Sequence, residues 1–279
     1  MPGVSVIIPT YNRSQVLSRA IDSVLNQSAF TQMATPFELL VVDDGSTDNT
    51  NKIVSQRSDL IYLPCPENQG VSRARNFGIE QSRYPWLAFL DSDDEWLPQK
   101  IELQLRFLQD HPTFQIVHGN EIWIRNEKLL NQHKKHEKFG GRIFTQCLPL
   151  CAISPSTIMV NRAVFAKVGL FDPEFVVCED YELWLRLTCQ FEVGFISEPI
   201  IKKHGGHADQ LSRKFKAMDY WRVKALSRIL DSPYLSAQER ASARQVLLDK
   251  SLILLNGYRK HNNMENYQEI EQLRMRATI

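Results

Sequence analysis

Carboxylates crowd directly behind an apolar run in the stretch 87-LAFLDSDDEWLP-98, where the acidic string DSDDE follows Leu90. Like charges this close repel each other and resist desolvation, so they are costly unless water, a cation or hydrogen-bond donors compensate. One interpretation is a solvated turn with helix-capping residues, because Pro98 can begin the helix that follows. The other interpretation is a metal site at the carboxyl end of a strand, where open α/β sheets hold their ligands.

A second strand-like run ends in the same way. The segment 37–42 is apolar and is followed by Asp43 and Asp44. In the later cluster, Asp91 and Asp93 are alternate residues, which lie on the same side of an extended segment. Independent surface turns have no reason to deliver aspartates twice, whereas converging carboxylates suit a nucleotide bound with Mg²⁺ or Mn²⁺. We therefore favour a nucleotide and metal site.

The phosphates of such a nucleotide need cationic partners. The sequence contains neither a G-x-x-x-x-G-K-[ST] phosphate loop nor a G-x-G-x-x-G dinucleotide fingerprint. The nearest basic side chains are Arg73 and Arg75, in the string 68-NQGVSRARNFGI-79. Either arginine could instead be a solvated charge on a helix, so this assignment stays open.

The elements that position these acids alternate between strand and helix. Apolar β-branched runs predict strands, and apolar residues three and four apart predict helices. Alternation over the first 110 residues predicts an α/β fold with a Rossmann-like, mostly parallel central sheet flanked by helices on both faces. The predicted strands are 4–8, 37–42, 60–63 and 86–90, and the predicted helices are 14–25, 48–57, 70–82 and 98–110.

The later part of the chain is less regular. Strands are predicted at 115–118, 121–124 and 157–160, and the basic run 133–138 is most simply a solvated loop. Beyond Lys214 the pattern is purely helical. We predict a domain over 1–215 in two halves, 1–110 and 111–215, followed by a helical extension over 216–279.

Composition sets the class of protein. The chain has 279 residues, 43% hydrophobic and 23% charged, with a net charge of +1, which gives no electrostatic footprint for nucleic acid. Five cysteines without a C-x-x-C pair indicate a reducing compartment. No signal peptide and no run of about 18 apolar residues is seen. We expect a soluble cytoplasmic protein without a transmembrane segment; peripheral association with the inner face of the membrane and the oligomeric state stay open.

Five strings together resemble one family. The sequence is similar, in order and spacing over roughly residues 4–212, to the family-2 glycosyltransferases, which are inverting enzymes of the GT-A fold that use nucleotide sugars. The helical tail is not covered. The resemblance implies that 1–110 is the half that binds the nucleotide sugar and that 111–215 is the half for the acceptor and catalysis. The strings are 4-VSVIIPTYNRSQVLSRAIDSVLNQ-27, 41-VVDDGSTDNT-50, 68-NQGVSRARNFGI-79, 89-FLDSDDEW-96 and 179-EDYELWLRL-187.

The resemblance implies a nucleotide pocket at the first strand ends. Pro9, Thr10 and Tyr11 would line the pocket for the base, with Tyr11 near the nucleotide. Asp43 would accept a hydrogen bond from the ring NH of the base, and Arg75 would lie near the base or the phosphates. A core role for Tyr11 is the alternative.

The resemblance also implies a D-x-D motif that binds the donor and a metal. Asp91 would contact the ribose, and Asp93 would coordinate Mn²⁺ or Mg²⁺ bound to the diphosphate of a nucleoside-diphosphate sugar, expected to be uridine-linked. His207 matches a loop histidine near the diphosphate or metal, although it could be an ordinary loop residue. Binding of the donor and a metal would explain why carboxylates crowd behind Leu90.

Transfer with inversion is one in-line displacement that needs a base on the acceptor side. Asp180 matches the family's base, while the alternative is that Glu179 and Asp180 only favour a helix N-terminus. The chain lacks the Q-x-x-R-W element of processive members, so we expect a single sugar to be added to a saccharide or lipid-linked acceptor. Cell-surface polysaccharide or glycoconjugate synthesis is the expected setting.

Two rival functions remain. A sugar-phosphate nucleotidyltransferase shares the sheet plan, but its Gly-rich basic loop is missing after the first strand, where the sequence reads PTYNR. A non-catalytic nucleotide-binding scaffold is the other, and the presence of Asp91, Asp93 and Asp180 together disfavours it.

Overall fold

The protein is represented by a computed structural model, which describes residues 2–206, 218–262 and 264–278. These residues form one mixed sheet with helices on both faces. The strands are β1 (Val4–Thr10), β2 (Phe37–Asp43), β3 (Ile61–Pro64), β4 (Trp86–Phe89), β5 (Glu95–Trp96), β6 (Ile116–Arg125), β7 (Lys128–Leu130), β8 (Met159–Asn161) and β9 (Gly194–Gly205). The helices are α1 (Leu17–Leu25), α2 (Ser28–Thr31), α3 (Thr50–Ser55), α4 (Val71–Gln81), α5 (Lys100–Asp110), α6 (Phe144–Cys147), α7 (Arg162–Val168), α8 (Glu179–Thr188), α9 (Met218–Ile229), α10 (Ala237–Lys260) and α11 (Tyr267–Thr278).

The sheet changes character halfway across. Its order is β3-β2-β1-β4-β8-β6-β9-β5, with β7 paired to β6. The first four strands are parallel, so β1, β2 and β4 end at the same edge. From β8 onward the pairs are antiparallel except for β6 with β9. The predicted parallel sheet is thus confirmed for the first half of the chain.

Two apolar layers cover the two faces of the sheet. Along β1, Ile7 packs into one layer while Val6 and Ile8 pack into the other, as the alternation of a strand requires. The layer around Val6 contains the inward faces of α1 and α5. The layer around Ile7 contains α4, α7 and α8. Burial on both faces explains why β1 reads as a continuous apolar run.

The second half differs in detail from its prediction. The predicted strands at 115–118 and 121–124 are one long strand, β6. Strand β9 carries Pro199 and pairs with β6 through two shifts in register, so it shows no alternating pattern and was not predicted. Lys138, placed by its sequence in a solvated loop, is buried, so that prediction is wrong for this residue.

The C-terminal helices share the core of the sheet domain. Leu226 in α9 and Leu247 and Leu255 in α10 lie in the same apolar layer as Trp184 in α8. Helix α10 begins with a capping box formed by Ser236 and Glu239. The predicted boundary between 215 and 216 lies outside the described residues and stays a prediction. None of the described helices has the length and hydropathy needed to cross a membrane.

Candidate functional site

The loops that follow β1 and β2 are tied together beside the strand ends. Asn12, whose φ is +52°, accepts hydrogen bonds through Oδ1 from the backbone N–H groups of Thr47 (2.8 Å) and Asp48 (3.2 Å). Its own N–H donates to Ser46 Oγ (2.8 Å). This cross-linking fixes the rim of the region in which a nucleotide base is predicted.

The residues predicted to line the base pocket lie at this rim. Pro9 and Thr10 are buried in the last positions of β1, whereas Tyr11 is 41% exposed. Thr10 is the register partner of Asp43, which brings the ends of β1 and β2 together. The exposed ring of Tyr11 argues against a core role for it and leaves a face on which a base can stack.

The two aspartates that end β2 have different surroundings. Asp43 accepts hydrogen bonds from the backbone N–H of Ser46 and from the hydroxyl of Tyr62, both at 2.9 Å. Asp44 accepts from the backbone N–H groups of Gln69 (2.9 Å) and Gly70 (2.8 Å). Asp44 therefore fixes the entry to α4, and burial raises its pKa despite these hydrogen bonds.

Arg75 joins the two sides of the site. Its guanidinium, 3% exposed, donates to Asp91 Oδ1 (2.7 Å) and to Glu179 Oε1 (2.6 Å). The guanidinium also lies over the ring of Phe171 at 5.1 Å from the centroid. Both of its terminal nitrogens are thus engaged by carboxylates, and Asp91 is linked to the first residue of α8.

The remaining acids of the cluster divide into a fixed and a less constrained member. Asp94 is buried and accepts from Ser156 Oγ (2.6 Å) and from the backbone N–H of His204 (3.0 Å), so it supports the turn from within. Asp93 lies half-buried beside Asp91. Burial, followed by the charge of Asp91, raises the pKa of Asp93, while the charges of Arg13 and Lys203 lower it.

The acids fit a divalent cation that completes its coordination with substrate. Burial and the charge of Asp91 both raise the pKa of Asp93, and a nearby cation relieves them. Mg²⁺ commonly takes only one or two protein carboxylates together with phosphate oxygens and water. Within the described residues, no group of three or more His, Cys, Asp or Glu side chains is placed to hold a metal. His207 lies outside the described residues, so its predicted role stays a prediction.

Asp180 lies in the first turn of α8, which begins after an unusual residue. Cys178 precedes the helix with a left-handed backbone (φ +61°), a conformation uncommon for residues other than glycine. Asp180 is half-buried; its Oδ2 accepts from Cys151 Sγ (3.2 Å) and its Oδ1 from the N–H of Tyr181 (2.6 Å). Its neighbour Glu179 is buried against Arg75. The two acids therefore have separate partners.

Sequence reasoning missed a charged cluster in the mixed half of the sheet, formed by Glu121, Lys138 and Lys203. Glu121 in β6 pairs with Lys138 (3.3 Å), and the Lys138 Nζ also donates to the carbonyl of Ala152 (3.2 Å). Lys203 in β9 donates to Ser154 Oγ (3.1 Å). Although burial opposes ionisation, the charges of Lys138 and Lys203 lower the pKa of Glu121 to about 2. A possible signal was the string PIIKKHGG, an apolar run that ends in basic residues.

The site thus gathers residues from both halves of the sheet. The structure places the rim at Tyr11, the acids at Asp43 and Asp91, and the helix start at Asp180 around one edge, with Arg75 between them. The ligands of these residues stay a prediction.

Comparison with known proteins supplies the family. The sequence model described as glycosyl transferase family 2 matches residues 5–169. A glucosyltransferase of Escherichia coli, WfgD, named for transfer from UDP-Glc to α-D-GlcNAc-diphosphoundecaprenol, is 32% identical over 77% of this chain and 82% of its own length. TuaG of Bacillus subtilis, named as a putative teichuronic acid biosynthesis glycosyltransferase, is 30% identical over 67% of this chain and 72% of its own length.

Other relatives are longer. An uncharacterized glycosyltransferase of Rickettsia felis is 33% identical over 84% of this chain, and this chain spans 38% of that protein's length. Among solved structures, residues 1–349 of S. aureus TarS, in complex with UDP-GlcNAc, superpose with a TM-score of 0.71 at 20% identity, covering 98% of this chain and 79% of that one. The predicted GT-A fold is confirmed by this likeness.

Proposed function

Because the chain belongs to glycosyl transferase family 2, we propose that it moves a single sugar, with inversion, from a uridine-diphosphate sugar to an acceptor hydroxyl. The observation that carries the proposal is the ion-pair network through Arg75. This network joins Asp91, in the donor-side acid motif, to Glu179, the residue next to Asp180. A donor bound at the strand ends and a base at the start of α8 would then face each other across one cleft.

The mechanism assigns different steps to the two sides. The acceptor oxygen forms a bond to the anomeric carbon while the bond from that carbon to the diphosphate oxygen breaks, and the electron pair leaves with the nucleoside diphosphate. Asp180 takes the proton of the acceptor hydroxyl as general base. The hydrogen bond from Cys151 to Oδ2 holds the Asp180 carboxylate in one orientation.

A divalent cation belongs on the donor side. Asp93, together with Asp91, would hold Mn²⁺ or Mg²⁺ there, and the bound ion would supply Lewis-acid neutralisation of the charge on the departing diphosphate. Asp43 would accept the ring N–H of the base, and its hydrogen bonds to Ser46 and Tyr62 keep its carboxylate in place before the nucleotide arrives.

The acceptor class is suggested by the relatives. WfgD is named for a lipid-diphosphate acceptor and TuaG for a cell-wall polymer. We propose that this chain likewise extends a saccharide, free or lipid-linked, during cell-surface polysaccharide synthesis. A lipid-linked acceptor would bring the protein to the inner face of a membrane.

A thermal-shift screen tests this function. Nucleoside-diphosphate sugars with uracil, guanine, adenine and thymine bases are added to the full chain, each with Mn²⁺ and with EDTA. A ligand that binds only the folded state raises the melting temperature by mass action. We expect stabilisation by a uridine-linked donor that depends on Mn²⁺, followed by detectable release of UDP.

Two results would contradict the proposal. Stabilisation by no donor under either condition would remove the transferase function. Binding of a UDP sugar without any turnover, with water or with acceptor saccharides, would favour a non-catalytic nucleotide-binding scaffold.

A further inference from the structure

Lys203 is a half-buried cation in the last strand of the sheet. It lies near the end of β9 and is the register partner of Trp123 in β6. Its Nζ donates a hydrogen bond to Ser154 Oγ at 3.1 Å. The preceding residue, Lys202, points to the other face of the strand, where its Nζ binds Glu95 Oε1 at 2.8 Å. The two adjacent lysines therefore have different partners, Ser154 for Lys203 and Glu95 for Lys202.

The carboxylates around Lys203 favour the charged form of its side chain. Burial lowers the pKa of Lys203, but the charges of Glu121, Asp94 and Asp91 outweigh this effect and raise the pKa above the usual lysine value. In turn, its charge lowers the pKa of Asp93 and of Asp94. The backbone N–H of the next residue, His204, donates to Asp94 Oδ1 at 3.0 Å, so this end of β9 lies against the acid motif.

Two buried cations of the site, Arg75 and Lys138, are already paired with carboxylates. Arg75 uses both terminal nitrogens for Asp91 and Glu179, and Lys138 has Glu121 and a backbone carbonyl. Among the described residues, Lys203 makes no ion pair within 4.0 Å, and its hydrogen bond goes to a neutral hydroxyl. An ammonium has three N–H donors, so Lys203 has capacity to bind an anion.

We propose that Lys203 binds the diphosphate of the donor and stabilises the charge that develops on it as the sugar leaves. This inference rests on the proposed function, because it needs a nucleoside-diphosphate donor at the acid motif. When the bond from the anomeric carbon to the phosphate oxygen breaks, the electron pair remains on the diphosphate, beside the ammonium of Lys203. No proton moves, since the raised pKa keeps the lysine protonated. Ser154 fixes the direction of the side chain.

The same charge gives Lys203 a second effect, of opposite sign. A fixed positive charge near Asp91 and Asp93 repels a divalent cation. Removing it should strengthen the binding of Mn²⁺ in the absence of nucleotide while weakening the binding of the diphosphate. A lysine that only neutralised buried acids would show the first effect without the second.

The test compares UDP with uridine, since their difference isolates the diphosphate. Affinities are measured by calorimetry, in EDTA and in Mn²⁺, for the wild-type chain and for Lys203→Met, Lys203→Gln, Lys203→Arg and the matched control Lys202→Met. Loss of one hydrogen bond to a charged group corresponds to about a 10- to 100-fold loss of affinity. We expect that loss for UDP in the Met and Gln variants, unchanged uridine affinity, partial recovery in Lys203→Arg, and no change in Lys202→Met.

The possible results distinguish the role of Lys203 from the proposed transferase function. Equal loss of UDP and uridine affinity, or UDP affinity unchanged in both Lys203→Met and Lys203→Gln, would overturn the assignment of Lys203 while leaving the proposed function intact. A wild-type chain that binds no UDP, with or without Mn²⁺, would contradict both. If Lys203→Met fails to fold, Lys203→Gln decides the question, and its Mn²⁺ affinity without nucleotide, measured by spin resonance, should rise.

Discussion

The two halves of the sheet hold their charged side chains by different means. In the parallel half, Asp43 and Asp44 are fixed by backbone N–H groups from loops close to the strand ends. In the mixed half, the partners are other side chains, such as Lys138 for Glu121 and Cys151 for Asp180. The proposed donor side is therefore organised mainly by backbone hydrogen bonds, and the proposed acceptor side by pairs of side chains.

This difference predicts which substitutions should alter ligand binding and which should alter stability. The carboxylates of the proposed donor side each support one loop, so a change there should alter ligand binding more than the fold. When one member of a buried ion pair is removed, the other is left as a buried charge without a partner. Arg75 belongs to both halves, since it binds Asp91 and Glu179, and should show the largest effect.

Arg75→Met tests the link between the halves. The substitution leaves Asp91 and the buried Glu179 without their counter-charge, and breaking a buried ion pair typically costs about 3–5 kcal/mol. We expect a loss of that size in the free energy of unfolding measured with urea. Arg73→Met, an exposed change on the same helix, should stay within about 0.5 kcal/mol of wild type. Equal stability of the two variants would mean that the network does not hold the halves together.

Asp93→Asn tests the donor side alone. Loss of a metal ligand should weaken UDP binding in Mn²⁺ by at least about 10- to 100-fold, which is the loss typical for an outer-shell partner of a metal site. The free energy of unfolding should barely change. Calorimetry in Mn²⁺ and in EDTA measures the effect, with Asp231→Asn, an exposed change beyond α9, as control. Similar UDP affinities in both variants would remove the metal assignment from Asp93.

Residues of the parallel half could be predicted from the sequence better than those of the mixed half. The aspartates at the ends of β2 and β4 were predictable because strand ends and turn residues are local signals. The role of Lys138 was not, because its partner Glu121 is 17 positions earlier in the chain and only the fold brings them together. Strand β9 was missed since Pro199 and its shifts in register hide the alternation, and Lys203 was missed with it.

Glu179→Gln tests the acceptor side through pH. Burial raises the pKa of Glu179 to about 7 from an ordinary value of 4.5, although Arg75 opposes the rise. The folded state therefore binds more protons than the unfolded state between these values, and this residue's contribution to stability is lost as pH rises through that window, by at most about 1.4 kcal/mol per pH unit. Urea unfolding from pH 4.5 to 7 should show a smaller decline in Glu179→Gln than in wild type.

The control for this pH effect is Glu80→Gln, an exposed change on α4, which should follow the wild-type curve. Parallel pH curves for wild type and Glu179→Gln would show that Glu179 does not titrate in the folded state within this window.

Cys151→Ala should show the smallest effect. The thiol is a weak donor, and a typical hydrogen bond contributes about 0.5–1.5 kcal/mol, so transfer should fall about 2- to 10-fold as Asp180 loses its orientation. UDP affinity should not change. Cys189→Ala removes a buried thiol at the end of α8 and should affect stability but not transfer per folded molecule. A full loss of transfer in Cys151→Ala would indicate a direct chemical role for the thiol.

The central claim is that the acceptor side removes the proton while the donor side binds the nucleotide, and Asp180→Asn tests it most directly. This variant keeps the size of the side chain and removes its basicity. Transfer and calorimetric UDP affinity are measured on one preparation, with Asp110→Asn, an exposed change at the end of α5, as control. We expect a loss of transfer of about 10²- to 10⁴-fold with unchanged UDP affinity. Full activity in Asp180→Asn, or loss of UDP binding along with transfer, would contradict it.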